Sequence, residues 1–197
     1  MARLAPLLVL AVLVTACGGR SAPKAVALSG GRLSPPRAAP PIALHDENGA
    51  NVSLAGQRGR YVLVTFLYTH CPDVCPLIAQ NLNTALRELG KDAAGVRVLA
   101  VSVDPKGDTV AAVRAYRARM HLLPEFRYLI GTRAQLRRVW LRWNVIAAAD
   151  KAELVDHVAY TALVDPSGQE RVLYGAQVHA ADVVHDLRAL MRTTQPT

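Results

Sequence analysis

The run YVLVTFLY, residues 61 to 68, is β-branched, aliphatic or aromatic throughout. Side chains along a strand point alternately to opposite faces, so a strand with this sequence is apolar on both. It is stable only inside a sheet whose two faces are both covered, the usual setting of parallel strands. A second run of this kind, VRVLAVSVD, begins at Val96. Between them, Ile78, Leu82, Ala85, Leu86 and Leu89 recur at helical spacing after Pro76, and Gly90 stops that helix. The three segments form one strand–helix–strand unit around which the rest of the chain must pack.

The flanking segments extend that unit. IALHDENGANVSL reads as two short strands around an Asn48-Gly49 turn, with His45 near it. DTVAAVRAYRARM is a helix capped by Asp108 or Thr109, RYLIG a short strand, and TRAQLRRVWLRW a helix capped by Thr132. VAYTALVDPSGQERVLYG forms a hairpin turning at Pro166-Ser167-Gly168, and HAADVVHDLRALM closes the chain as a helix. This order predicts an α/β fold: a thioredoxin-like central sheet with helices on both faces and an N-terminal β-hairpin extension. No repeat or second domain is visible. With 51% hydrophobic residues, the chain can bury one such core.

The N-terminus has a different character. MARLAPLLVLAVLVTAC combines an early arginine, an apolar run from Leu7 to Val14 and small residues before Cys17. The run is too short for a mature membrane span and reads as a secretory signal. Val-Thr-Ala-Cys resembles a lipobox, in which the cysteine is acylated and becomes the new N-terminus. Residues 1–16 are thus expected to be a lipoprotein signal peptide. Residues 17–40, rich in Gly, Ser, Pro and Ala and without periodicity, are expected to be a lipid-anchored flexible tether, and residues 41–197 the folded domain. The expected location is the cell membrane, on its extracytoplasmic (periplasmic) side. The net charge of +8 suits an acidic partner or anionic headgroups, or simply a solvated arginine-rich surface. Nucleic acid is a poor fit for an exported, membrane-tethered chain.

If Cys17 carries lipid, Cys71 and Cys75 are the only cysteines left in the mature chain. They stand in HCPDVCP, between the end of a buried strand and a helix for which Pro76 is the expected first residue. A helix N-terminus stabilises a thiolate, which both disulfide exchange and soft-metal binding require. A purely structural disulfide would close too short a loop to restrict the unfolded chain much. Spacing alone leaves redox and metal chemistry both open. A third ligand would decide, and of the six histidines His157 is distinctive. It precedes a buried strand, in the loop that packs beside the cysteine turn in a thioredoxin-like fold.

YTHCPDVCP, SVDPKGDT, VDHVAY and LVDPSG follow one another with separations that resemble the Sco family (Sco/SenC), over residues 41 to 192. The resemblance implies a membrane-tethered copper chaperone for cytochrome c oxidase assembly, with Cys71, Cys75 and His157 as ligands for Cu(I), or for Cu(II) with an added oxygen donor. Asp73 and Asp156 are candidates to support the ligands or to supply that oxygen. The implied partners are the copper-binding subunit of the oxidase, a membrane reached through the lipid anchor, an upstream copper donor and a thiol reductant. The role is transfer to the binuclear copper centre rather than catalysis. The alternative is a thiol-disulfide oxidoreductase, with Cys71 and Cys75 as a redox-active pair that reduces the oxidase subunit's own copper-binding cysteines. The chain departs from the family pattern at Lys106-Gly107, where Glu-Arg is common, and at Val158, where a hydroxyl side chain is common. A peroxidase on the same fold would need threonine at the position of Tyr68. A plain binding module with a disulfide is the remaining reading.

Overall fold

The computed structural model describes residues 27–145 and 159–194. In chain order the elements are β1 (Gly31–Ala38), β2 (Ala43–Asp46), β3 (Asn51–Ser53), β4 (Tyr61–Leu67), α1 (Val74–Leu89), β5 (Val96–Ser102), α2 (Val110–Arg119), β6 (Phe126–Ile130), α3 (Arg133–Arg142), β7 (Thr161–Val164), β8 (Gln169–Tyr174) and α4 (Ala180–Thr194). The strands form one sheet ordered β1-β8-β7-β4-β5-β6-β2-β3. Parallel β4, β5 and β6 make its centre, and antiparallel β7 and β8 continue it on one side. On the other side the β2–β3 hairpin is hydrogen-bonded to β6 through β2, so it is part of the sheet.

Strand β4 is buried along its whole length, as its two-sided apolar run requires. Its odd positions, Leu63 and Leu67, pack with Val98, Tyr128 and the inner faces of α1, α2 and α4. Its even positions, Val62, Val64 and Phe66, pack with Leu99, Leu129 and with Leu136, Val139 and Trp140 of α3. Helices therefore cover both faces, the thioredoxin-like arrangement expected from the sequence. The caps also follow the local chemistry. Thr109 accepts from the Ala112 amide, and Thr132 forms a capping box with Gln135. His45 lies on β2, just before the hairpin turn.

The stretch read as a flexible tether, 17–40, is corrected in part. Gly31–Ala38 is an edge strand paired antiparallel with β8, its register shifting between Arg32 and Arg37. It is exposed along nearly all its length, so no hydrophobic alternation marks it in the sequence. Its prolines are tolerated because an edge strand needs only one row of ladder bonds. Arg37 pairs with the buried carboxylate of Glu170 on β8. Just before the strand, Ser29 and Gly30 donate their amides to the buried Asp186 carboxylate of α4 at 2.7 and 3.0 Å. The Tyr174 hydroxyl donates to the same carboxylate at 3.0 Å. A Cβ on Gly30 would sit 2.4 Å from Val172 Cγ1, so only glycine lets the chain approach β8 this closely.

Asp186→Ala leaves two amides and a phenol without their acceptor, and Gly30→Ala forces the segment off β8. Urea unfolding should show losses of about 2–3 kcal/mol for the first and about 1–3 kcal/mol for the second. A freely hanging tether would make Gly30→Ala silent and would reduce the Asp186→Ala loss to that of the Tyr174 hydrogen bond.

Candidate functional site

After Leu67 the chain leaves the sheet through Tyr68, Thr69 and His70 to Cys71 and then enters α1. Thr69 is held in place by Asp108, a buried residue of the loop between β5 and α2. Its Oδ1 accepts from the Thr69 amide at 2.8 Å, and its Oδ2 accepts from Ser102 Oγ at 2.6 Å and the Tyr128 hydroxyl at 3.0 Å. Burial pushes the Asp108 carboxyl above its usual range, and these hydrogen bonds pull the other way. Asp104 holds its loop by accepting from the Lys106 and Gly107 amides. Asp165 plays the same part in the β7–β8 turn. In the sequence Asp108 is only one of two possible helix caps. The detectable signal was its place after a parallel strand whose neighbour carries the cysteines.

Helix α1 begins at Val74, two residues before the expected start, so Cys75 lies inside the first turn and Pro76 follows it. The first-turn amides have no helical acceptor, so a proline anywhere in that turn costs no hydrogen bond. Asp73 occupies the N-cap position, yet its side chain makes no capping bond. The acceptor is instead Cys71 Sγ, which takes the Cys75 amide at 3.3 Å. Cys71 is half-buried, whereas Cys75 is 1% exposed, and both are free thiols. The Tyr116 hydroxyl donates to the Cys75 carbonyl at 3.3 Å and fixes the turn from below.

The two sulfurs divide one proton unequally. A hydrogen bond from the Cys75 thiol, opposed by partial burial and aided by the amides of Asp73 and Cys75 and by Tyr68, lowers Cys71 to about 6. Cys75 is raised, first by that same hydrogen bond to Cys71, then by burial and by the negative charges of Cys71 and Asp108. The pair at neutral pH is therefore a half-exposed thiolate beside a buried thiol. Such a pair can attack a disulfide and resolve it, or offer two soft donors to a metal.

Cys71 and Cys75 come together at the start of α1, and Asp73 stands between them in sequence with its side chain exposed. His157, Asp156 and Cys17 lie outside the described residues. Among the described residues no three His, Cys, Asp or Glu side chains group closely enough to hold a metal ion. The chain enters β7 beside the end of β4, with Thr161 opposite Thr65. Ala159, two residues after His157, packs against the same core cluster as Cys71, Tyr68 and Val74. Asp73 and Leu77, the latter 54% exposed, line a groove of about 520 Å³ with Gln177 and His179 along the first turns of α1.

Fold and site together define a thioredoxin-like α/β protein with a reduced Cys-x-x-x-Cys pair where its central strand meets a helix. The SCO1/SenC family model matches residues 32–192, and the chain belongs to that family. It is 31% identical over 154 residues to the mitochondrial SCO2 homolog of Mus musculus, covering 75% of this chain and 60% of that protein. Among solved structures, apo Sco1 from Thermus thermophilus is 33% identical with a TM-score of 0.69, over 83% of this chain and 97% of that one. Bradyrhizobium japonicum ScoI, solved with copper bound, is 30% identical with a TM-score of 0.65, over 77% and 98%.

Alkylation of the reduced protein by iodoacetamide should rise with pH around a midpoint of about 6, set by Cys71 alone. In Cys75→Ala the midpoint should move upward, because the hydrogen bond that most stabilises the Cys71 thiolate is gone. A wild-type midpoint near an ordinary thiol value would remove the proton-sharing arrangement. Asp108→Ala, which strips the acceptor from three buried donors, should cost about 2–4 kcal/mol in urea unfolding. Asp108→Asn, which keeps an acceptor, should cost less.

Proposed function

We propose that this domain carries one copper ion as cargo, held by Cys71, Cys75 and His157, and passes it by ligand exchange to the binuclear copper centre of cytochrome c oxidase. The observation that carries the reading is the cysteine pair: a ready thiolate and a buried thiol one helical turn apart, in a chain 30% identical to a ScoI solved with copper bound. Two sulfurs and one imidazole form a soft three-coordinate set suited to Cu(I), and an added oxygen, with Asp73 at hand, suits Cu(II). Support for His157 comes from the family resemblance and from its place just before β7, the strand paired with β4, whose end leads to the cysteines. Delivery takes place at a membrane, with the chain held there by lipid on Cys17. In the described residues no helix is long and apolar enough to cross a membrane.

The second reading is reduction of the oxidase subunit's copper-binding cysteines, and the unequal thiols favour it. An exposed low-pKa sulfur attacks, a buried neighbour resolves, and the chain ends as the Cys71–Cys75 disulfide while the target gains two thiols. A reductant of the thiol class must then restore the pair. The two readings make different demands on His157, since disulfide exchange has no need of an imidazole there.

Titration of the reduced protein with Cu(I) against a chromogenic chelator should show one tight equivalent. Cys71→Ser/Cys75→Ser should abolish competitive binding, and His157→Ala should weaken it by at least about tenfold, in the range that loss of metal-site support produces. Wild type that cannot compete for Cu(I) would leave the reductase reading in its place.

A further inference from the structure

Helix α3 presents an unusual surface. It carries Arg133, Arg137, Arg138 and Arg142, all exposed, and no acidic residue. Leu136, Val139 and Trp140 fill its inner face. Leu141, on the outside between Arg138 and Arg142, is 61% exposed. Among the described residues none of these four guanidinium groups reaches a carboxylate, while Arg37, Arg117, Arg127 and Arg171 all do. The opposite face of the domain is different: exposed Glu88 and Asp92 there stand among Arg87, Lys91 and Arg188. Charge of one sign is thus concentrated on α3.

That helix also lies at the functional end of the sheet. Trp140 Nε1 donates to the Ser102 carbonyl, the last residue of β5, at 2.9 Å. The Trp143 ring, just past α3, packs against Phe66 near the end of β4 with centroids 5.9 Å apart. The cysteine loop leaves from that same strand end.

We propose that the exposed face of α3 rests on an anionic phospholipid surface. The arginines engage headgroup phosphates, to which guanidinium binds in bidentate fashion, and Leu141 enters the interface between them. This rests on the reading that the chain works at a membrane. A chain held there by its N-terminus meets headgroups at high effective concentration, so a modest intrinsic affinity is enough to orient the domain. A face of four arginines with no acidic residue and one protruding aliphatic side chain has the composition of a surface that lies on anionic headgroups, the arginines at the phosphates and the leucine below them.

The test uses the full chain carrying Cys17→Ser, which cannot be acylated, and sedimentation with vesicles. Binding to vesicles of equal parts phosphatidylglycerol and phosphatidylcholine should exceed binding to pure phosphatidylcholine by about tenfold or more at low salt, and the excess should vanish at high salt. Arg137→Glu/Arg138→Glu should remove the excess and Leu141→Ser should reduce it. Lys91→Glu/Arg192→Glu, an equal charge change on the opposite face, should retain most of it. Equal loss in both double variants would assign the effect to net charge and overturn the proposal. So would wild-type indifference to phosphatidylglycerol, including the case where the chain instead captures polyglutamate through the same arginines. A lowered thermal midpoint in the α3 variant would show that carboxylates of this chain already hold those arginines, and would equally defeat it. The anchor is judged separately, by comparing acylated wild type with Cys17→Ser on pure phosphatidylcholine.

Discussion

A strand buried on both faces can be left only at its ends, and that constraint organises this molecule. β4 has no solvent-facing side, so its chemistry must lie where the chain emerges after Leu67. The exit is fixed by one buried carboxylate. Asp108 accepts from Thr69 on the way to the cysteines, from Ser102 at the end of β5 and from Tyr128 on β6. It thereby ties the exits of β4 and β5 to the middle of β6, all three parallel strands, beside the cysteine loop. A carboxyl in so closed a place is costly unless its lone pairs are occupied, and here three donors occupy them. The result is a rigid ledge from which Cys71 projects.

The start of α1 turns that ledge into reactive chemistry. A helix N-terminus offers amides that need an acceptor, and the usual donor of that service is an Asp, Ser or Thr side chain. Asp73 stands in the right place and does not provide it; the Cys71 sulfur does. A thiolate in the role of cap gains charge stabilisation from the amide and the helix dipole together. Cys75, one turn on and sealed in the core, supplies the thiol proton that completes the arrangement. A single geometry thus prepares one sulfur for attack or for metal and keeps the second protected until it is needed.

The parts of this picture that were legible in the sequence are those written in side-chain period. The runs at 61–68 and 96–104, the apolar spacing of α1, the Gly90 stop and the turns at Asn48-Gly49 and Pro166-Ser167-Gly168 all report burial or backbone constraint locally. β1 was not legible, because an exposed edge strand is held by backbone bonds and by a few remote partners, Glu170 and Asp186, that leave no periodic trace. The early start of α1 had a signal in Asp73, a residue type favoured at the N-cap, but Pro76, which suits any position of the first turn, marked a start two residues later. Asp108 looked like any helix-capping aspartate until the sheet brought Thr69 and Tyr128 to it. His157 became a candidate through its place before a buried strand and through family resemblance, and Ala159 is the nearest described residue that bears on it.

The corrected tether changes how the domain can meet a partner. A coil running to residue 40 would leave the domain free to turn, since a flexible linker's reach grows only as the square root of its length but its orientation is unrestricted. Here β1 is zipped to β8 and the chain just before it is pinned to α4, so residues 29 to 38 belong to the body. The point from which the N-terminal segment departs is therefore fixed relative to the cysteines. Exchange of ligands or of disulfides needs sulfur within bonding distance of its target, and the rate depends on how often the two approach in register. Under the proposed reading, with lipid on Cys17 and α3 on headgroups, an attachment point and a cationic face that both belong to the fold would narrow the orientations in which the ledge carrying Cys71 meets its target.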